Sequence, residues 1–365
     1  MLLTAPAVLA FALLQSSDRI VLRNGQVIPV DRVQTETFTE VTYRKGGSDG
    51  RKPANEVLEV EHSTSARQLG DYADALELIG NGDYRRAISA LEVVLKDKDL
   101  SSEPRFAWTK QHSLYRMMEC YAALGDLNQI AATADRLLTT VPDTFFYAPA
   151  LLSKAQALQD KNDAKGAEAV YKQLESDVRS KGLPEVWARQ SELGLVMLDR
   201  SLSAADKQRK LEGIAEKNKS APEFADVASR ARVQVGNAMV EAGQYKDAKA
   251  RFGVILESGT SDGAVLAAAY SGLGDCAFNI GLQEEIADVK KAAPYFEEAA
   301  LHFLRVAATY PEEYRLAPRA MCFAGMAMRR LGKRDDALQM ARKLKGNFPD
   351  SAWKTKLFQD MGLAG

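Results

Sequence analysis

Residues 325–349 read GMAMRRLGKRDDALQMARKLKGNFP, and the spacing of their small and large residues decides the fold of the chain. A glycine such as Gly332 can end a helix in a tight turn, because glycine adopts backbone conformations that other residues avoid. Ala337 then allows a second helix to approach the first closely, and the bulky Leu344 fills their interface. Pro349 stops the second helix because proline lacks an amide hydrogen. The stretch therefore predicts two helices joined by a tight turn.

The same spacing recurs along the chain with a period a little above 34 residues, and it gives about seven units. Self-similarity at this period is the sequence signature of a solenoid built from helix pairs. The predicted turn residues, in chain order, are Gly82, Gly125, Asn162, Ser201, Gly243, Gly281 and Gly332. The small residue of the second helix is Ala87, Ala167, Ala248, Ala299 and Ala337 in five units, and Ile130 replaces it in one.

This pattern resembles the tetratricopeptide repeat (TPR) family, whose members are α-solenoids. The resemblance covers residues 63–350, and it implies a mainly α fold in which partners bind the concave face formed by the first helix of each pair. It also implies a non-enzymatic scaffold without cofactor, catalytic residues or metal. Residues 351–365 are predicted to form a terminal capping helix, because the last repeat would otherwise expose its apolar face.

Two units depart from the pattern. The unit at 183–217 is degenerate, since its second helix, Ser203 to Glu216, lacks the close-packing alanine. In the sixth unit, 18 residues separate Gly281 from Ala299 where the pattern expects five, so about 13 residues are inserted. This insert, 281–293, is charged and is predicted to be a surface extension.

Residues 18–62 differ from the rest of the chain and are predicted to form a small β module. Arg19-Ile20-Val21-Leu22 is followed by Asn24-Gly25, a hairpin-type turn. Residues 36–44 alternate and are rich in Thr, Val and aromatic residues, and Gly46 to Gly50 form a second turn. We expect four or so short strands in an SH3-like or Sm-like barrel. Leaders of this form resemble those of some exported bacterial TPR proteins.

The first 17 residues predict export. Residues 1–14 are almost wholly apolar, which is too short to span a bilayer but suits the apolar region of a signal peptide. A periplasmic or envelope location is therefore expected, with no integral membrane span after signal removal. If the segment is no signal, the protein is expected in the cytoplasm.

Composition and motifs argue against several classes of function. The chain has 48 basic and 49 acidic residues, whereas a nucleic-acid binder shows a basic excess or stripe. The three cysteines are far apart and form no disulfide framework. None of the three histidines, His62, His112 and His302, has a second histidine or a cysteine at metal-ligand spacing. We therefore expect no metal, no cofactor and no enzymatic activity.

A protein or peptide partner is expected to contact the first helices of the repeats. The candidate positions are His112, Tyr115, Glu119, Gln156, Gln159, Asn237, Asp275, Phe278 and Arg329. Together they predict a mixed polar and aromatic groove. The leading hypothesis is thus an exported scaffold that holds partner proteins. The alternatives are a self-assembling structural component of the envelope and an accessory subunit of an enzyme complex.

Overall fold

The computed structural model describes residues 17–260, 262–349 and 351–363, leaving the side chain of residue 101 undescribed. Strands come first and helices follow, in two units that comprise residues 1–198 and 199–365. The strands are β1 (Asp18–Leu22), β2 (Val27–Val30), β3 (Arg32–Glu36), β4 (Glu40–Lys45), β5 (Ser48–Pro53) and β6 (Val57–Glu61). They form two antiparallel sheets, ordered β2-β1-β6 and β3-β4-β5.

The β module has six strands, where the sequence predicted about four. Residues 36–44 are not one strand, because the hydroxyl of Thr37 accepts hydrogen bonds from the amides of Thr39 and Glu40 and turns the chain. Gly46 and Gly47 alone make the next turn, with φ of +56° and +80°. Strand β5 follows directly, and its polar sequence SDGRKP carries no strand pattern. Small apolar side chains from both sheets form the core of the module: Ile20, Val30, Val33, Val41, Val57 and Val60.

The rest of the described chain is helical. Unit one contains α1 (Gly70–Gly80), α2 (Tyr84–Lys96), the short α3 (Lys98–Ser102), α4 (Trp108–Leu124), α5 (Leu127–Thr140), α6 (Tyr147–Asp160), α7 (Ala164–Lys181) and α8 (Val186–Leu198). Unit two contains α9 (Ala204–Asn218), α10 (Ala225–Glu241), α11 (Tyr245–Glu257), α12 (Gly263–Ala287), α13 (Val289–Thr309), α14 (Ala317–Arg330), α15 (Arg334–Asn347) and α16 (Ala352–Met361).

The turns inside the helix pairs confirm the predicted fold class, a TPR-like α-solenoid preceded by a small β module. The glycines with left-handed backbone at these turns are Gly82, Gly125, Gly243 and Gly332. Asn162 takes the glycine position in the third pair with φ of +62°, which asparagine tolerates better than most residues. The side chains of Asp83, Asp126 and Asp163 then accept hydrogen bonds from amides in the first turn of the next helix.

Packing within unit two depends on a phenylalanine held between glycines. Phe252 of α11 is fully buried. A Cβ added at Gly236 of α10 would lie 2.6 Å from its ring, and one added at Gly272 of α12 would lie 2.2 Å from it. Three consecutive helices therefore meet at one aromatic ring, and two of them approach it through positions that have no side chain.

This contact predicts that Gly272→Ala destabilises unit two. The added methyl overlaps a ring that has no room to move, so we expect the free energy of unfolding to fall by about 1–3 kcal/mol. Gly253→Ala is the matched control, since a Cβ there meets nothing within 4 Å. Because alanine favours a helix more than glycine does, we expect the free energy of unfolding of Gly253→Ala to rise by up to about 1 kcal/mol. Urea denaturation followed by circular dichroism measures both, and equal midpoints for the two variants would contradict this packing.

The insert predicted at 281–293 does not form a separate loop. Helix α12 continues through it to Ala287, α13 begins at Val289, and both helices are longer than the others of unit two. Gly281, predicted at a turn, lies inside α12 against the ring of Phe296. The turn is at Asp288 instead, whose side chain accepts a hydrogen bond from the amide of Lys290. The added residues thus lengthen the hairpin, and Ile286 near its tip is 90% exposed.

The degenerate unit predicted at 183–217 contains the boundary between the two units, which falls between Leu198 and Asp199. Its second helix is α9, which packs against α10 in unit two. At the other end, α16 covers the last pair, and its Leu357 and Phe358 join the core of α14 and α15. Helix α16 therefore packs against the last described helix pair.

One helix of the described chain, α12, is long and apolar enough to cross a membrane by length and composition alone. Most of its apolar window is buried against protein, as in a core helix. The expectation that the chain has no membrane span stays a prediction.

A partly buried carboxyl lies in the loop before α14. Burial and the neighbouring Glu312 raise the pKa of Glu313 from 4.5 to about 7, while Arg230 opposes them and Asp262 adds to them. Because the folded state favours the protonated carboxyl, its ionisation costs stability. This cost is absent below pH 4.5, grows as the pH rises, and is complete above about 7.

Glu313→Gln should therefore stabilise the protein at high pH only. We expect a free energy of unfolding about equal to wild type near pH 4.5 and about 1–3 kcal/mol higher at pH 8. Thermal unfolding over this pH range measures the difference, with Glu257→Gln, an exposed carboxyl on α11, as the control. A difference that does not change with pH would contradict the raised pKa.

Candidate functional site

Two of the three histidines meet at one buried carboxylate in unit one. The imidazole Nε2 of His112 lies 2.8 Å from Glu36 Oε2, and Nε2 of His62 contacts the other carboxylate oxygen, Oε1. His62 Nδ1 lies 3.3 Å from Oδ2 of Asp18. The side chains of Glu36, His62 and His112 are 1%, 3% and 5% exposed. We refer to these three residues with Asp18 as the Glu36 cluster.

The Glu36 cluster draws on separate elements. Asp18 begins β1, Glu36 ends β3, His62 follows β6, and His112 lies in the second turn of α4. Asp18 also accepts hydrogen bonds from the amides of Val33 and Ser63, at 2.8 Å each. The cluster therefore links both sheets of the β module to the first long helix.

Aromatic side chains surround the two imidazoles. His62 stacks on Trp108, with ring centroids 3.9 Å apart and an interplanar angle of 3°. Phe146 meets His112 edge-on at 5.0 Å and stacks on Tyr115 at 4.1 Å. These rings exclude water, so charges within the cluster interact strongly.

The pKa values of the cluster follow from burial and mutual attraction. Burial alone would raise the pKa of Glu36, but the two imidazoles outweigh it and lower the pKa to about 2. Burial would lower the pKa of His62, yet Glu36 and Asp18 raise it to about 9. For His112 burial prevails over Glu36, so its pKa is lowered. His62 is thus protonated at neutral pH.

Gln111 reinforces the same junction. Its amide nitrogen donates to the backbone carbonyl of Glu36, and its amide oxygen accepts from the Thr144 hydroxyl at 2.7 Å and the Phe145 amide at 3.0 Å. One buried side chain therefore holds both the β3–β4 connection and the segment before α6 against α4.

A cavity of about 60 Å³ lies beside the cluster, and its lining is mostly apolar. The lining residues are Arg23, Phe38, Ala54, Leu58, Tyr115, Phe145, Phe146, Ala148, Pro149, Leu183, Pro184 and Trp187. Its volume is well below the several hundred Å³ of small-molecule sites, so it suits part of an apolar side chain better than a whole substrate.

The structure separates the nine predicted partner-contact residues into two groups. His112 and Tyr115 are buried beneath the β module, and Phe278 is buried among Phe296 and Phe323 of the unit-two core. A partner cannot touch these three side chains while the fold is intact, because other residues cover them. Their positions on the first helices predicted that a partner could reach them. The repeat pattern gave no indication that the β module or neighbouring phenylalanines would cover them.

The other six residues keep partly or fully accessible side chains, and most have a partner within the chain. Glu119 pairs with Arg116 at 2.9 Å, Asp275 pairs with Arg319 at 2.6 Å, and Arg329 contacts Asp360 at 2.6 and 2.8 Å. Gln159 accepts from the Tyr171 hydroxyl, and Asn237 donates to Gln234. Gln156 is partly buried on α6. Whether these positions bind a partner stays a prediction.

Sequence reasoning missed the Glu36 cluster. Its ligand-type side chains are 26 and 50 residues apart along the chain, so no local spacing marks them. Metal-ligand spacings that a sequence reveals join neighbouring residues, whereas Glu36 ends β3 and His112 lies in α4. Only the docking of that module against α4 brings the residues together.

Comparisons with known proteins agree with the repeat pattern. Two segments, 112–144 and 324–351, match the family model described as tetratricopeptide repeat. They cover most of α4, all of α5, the second half of α14 and all of α15. The chain therefore carries tetratricopeptide repeats, and an architecture of this kind supports a protein–protein interaction scaffold. No curated protein matches the sequence.

Several solved structures are similar over most of the chain. A Rap protein complexed with Competence and Sporulation Factor is 13% identical, with a TM-score of 0.47 and coverage of 80% of this chain and 79% of that one. PilW, a type IV pilus biogenesis factor, is 14% identical, with a TM-score of 0.30 and coverage of 80% and 98%. Yeast Tom70 is 16% identical, with a TM-score of 0.26 and coverage of 81% and 73%. TM-scores below 0.5 are too low to support an argument about partner or activity.

The cluster predicts that Glu36→Gln weakens unit one. The amide removes the charge that faces the His62 imidazolium inside the fold, so we expect the free energy of unfolding to fall by about 2 kcal/mol. Denaturation followed by tryptophan fluorescence measures the loss, since Trp108 stacks on His62. Glu56→Gln is the matched control, because Glu56 pairs with Lys52 at the surface and is 51% exposed. Equal midpoints for both variants would contradict the role of Glu36.

Proposed function

We propose that this protein is a non-enzymatic scaffold that binds partner proteins through the first helices of its repeats, and that it works in the periplasm or at the cell envelope. The proposal is carried by one observation: helix pairs follow one another along the described chain, and two of its segments match the tetratricopeptide repeat. In such architectures each pair contacts its neighbours, and the stack offers a continuous binding surface.

The accessible face within each unit indicates how a partner would be held. The three charged residues among the accessible predicted positions are paired: Glu119 with Arg116, Asp275 with Arg319, and Arg329 with Asp360. Charges already neutralised within the chain offer little long-range attraction, so recognition would depend on hydrogen bonds and apolar contacts. The amides of Gln156 and Asn237 are the best placed of the predicted positions for such hydrogen bonds, one in each unit.

The location is proposed from the sequence alone. The apolar segment 1–14 suits a signal peptide. It lies outside the described residues, so the proposal depends on its composition and on nothing in the fold.

The test is affinity capture with crosslinking from the native envelope fraction, followed by mass spectrometry. The test variant carries Gln156→Arg and Asn237→Arg, which place a long charged side chain on the first-helix face of each unit. We expect one partner to be captured reproducibly by wild type and at least about tenfold less by the variant, which corresponds to about 1.4 kcal/mol.

The control variant carries Lys172→Ala and Lys343→Ala, two exposed positions on the second helices α7 and α15. It should capture as much partner as wild type. Equal capture by all three proteins would refute binding through the first helices. Recovery of the protein alone, with a size in light scattering that falls on dilution, would favour the self-assembling alternative. Absence of the protein from the envelope fraction would refute the location and leave the binding surface to be tested in a soluble fraction.

A further inference from the structure

We propose that Glu36, His62 and His112 bind a divalent transition-metal ion of the zinc type, and that this ion joins the β module to α4. The proposal concerns a structural metal site and does not depend on the identity of any partner protein.

The donor set is the first argument. Two imidazole nitrogens and a carboxylate are ligands that zinc prefers, and the same three protein ligands hold zinc in some catalytic sites, where water takes the fourth position. One ligand atom from each residue can be chosen so that all three lie within 4.8 Å of one another. Two ligands on a tetrahedral zinc ion are about 3.3 Å apart, given bond lengths of about 2.0–2.1 Å. Each imidazole Nε2 now contacts a carboxylate oxygen of Glu36, at 2.8 Å for His112. Side-chain rotations that separate these atoms to about 3.3 Å would make room for the ion between them.

The orientation of His62 is the second argument. Its Nδ1 faces Asp18, whose position is held by the amides of Val33 and Ser63. An imidazole that donates Nδ1–H to a carboxylate presents Nε2 to a metal, and carboxylate–histidine–metal arrangements of this kind recur in proteins. Asp18 is therefore a positioning residue for the proposed site.

Charge balance is the third argument. Asp18 and Glu36 bring two carboxylates into a space lined by aromatic rings. A dication bound to two neutral imidazoles would balance both carboxylates, whereas buried charge without compensation is costly.

Binding would replace the hydrogens that now lie between the ring nitrogens and Glu36. His62 would release its Nε2 proton to solvent, and the Nε2 proton of His112 would move to Nδ1, so that each Nε2 lone pair faces the ion. Because the cluster is buried, the ion would enter while the chain folds, and its binding would add to the stability of unit one.

The experiment uses Co²⁺ as the probe, since it occupies zinc sites and absorbs visible light when bound by nitrogen and oxygen ligands. The full chain is unfolded in denaturant with a chelator, exchanged into chelator-free denaturant, refolded with and without Co²⁺, and desalted. We expect about one Co²⁺ per chain by elemental analysis, visible absorption, and a higher Tm for the metal-loaded protein. Elemental analysis of protein produced in zinc-supplemented medium provides a second measurement that needs no refolding.

His112→Gln distinguishes a metal site from a purely hydrogen-bonded cluster. Glutamine retains an N–H donor for Glu36 but is a poor ligand, so this variant should fold and bind Co²⁺ at least about 100-fold more weakly. Asp18→Asn should bind about 10–100-fold more weakly, as expected for loss of an orienting carboxylate. The matched control, His302→Gln, alters the histidine outside the cluster and should bind as wild type does.

Absence of metal from folded wild-type protein in both measurements would overturn the proposal and leave the cluster as a hydrogen-bonded network. Retention of Co²⁺ by His112→Gln would place the ion elsewhere and overturn the site. Loss of Co²⁺ by His302→Gln would do the same.

Discussion

The helix pairs depend on close approach at positions that carry almost no side chain. In unit two, Phe252 fits against Gly236 on one neighbouring helix and Gly272 on the next, and a methyl group at either glycine would overlap its ring. Gly274 meets Phe303 of α13 in the same manner. Because protein interiors are as densely packed as organic crystals, such contacts determine the separation of the helices. Each helix pair therefore has a surface of defined shape against which the next pair packs.

The β module is attached by a different kind of interaction. Its own core is small and apolar, but its junction with α4 also contains buried polar groups, with Glu36 between two histidines and Gln111 reaching two separate segments. Buried polar groups cost stability unless each finds a partner, so such a junction tolerates few arrangements. The buried polar contacts hold the β module in one position on α4. The repeats, in contrast, vary in length, as the long α12–α13 hairpin shows.

Internal packing uses some of the predicted partner-contact residues and leaves others accessible. The predicted partner-contact positions His112, Tyr115 and Phe278 are used for internal packing, whereas Gln156 and Asn237 remain accessible. In the proposed scaffold a partner would be recognised mainly by shape and hydrogen bonds, because the charged predicted positions are paired within the chain. The Glu36 cluster lies away from solvent, and a metal there would act on the stability of the junction.

The sequence by itself determined the helical repeats and five of their tight turns, at Gly82, Gly125, Asn162, Gly243 and Gly332. Each of these depends on residues within about 34 positions of one another, where spacing translates directly into contact. It also indicated strands before the helices, but it predicted about four where the structure has six. The turn at Thr37 divides one predicted strand, and the polar sequence of β5 gave no strand pattern. Only the tertiary structure decided that Gly281 lies within a helix and that the covering β module buries His112. It alone brought Glu36, His62 and His112 together, because these contacts join residues that no sequence period relates.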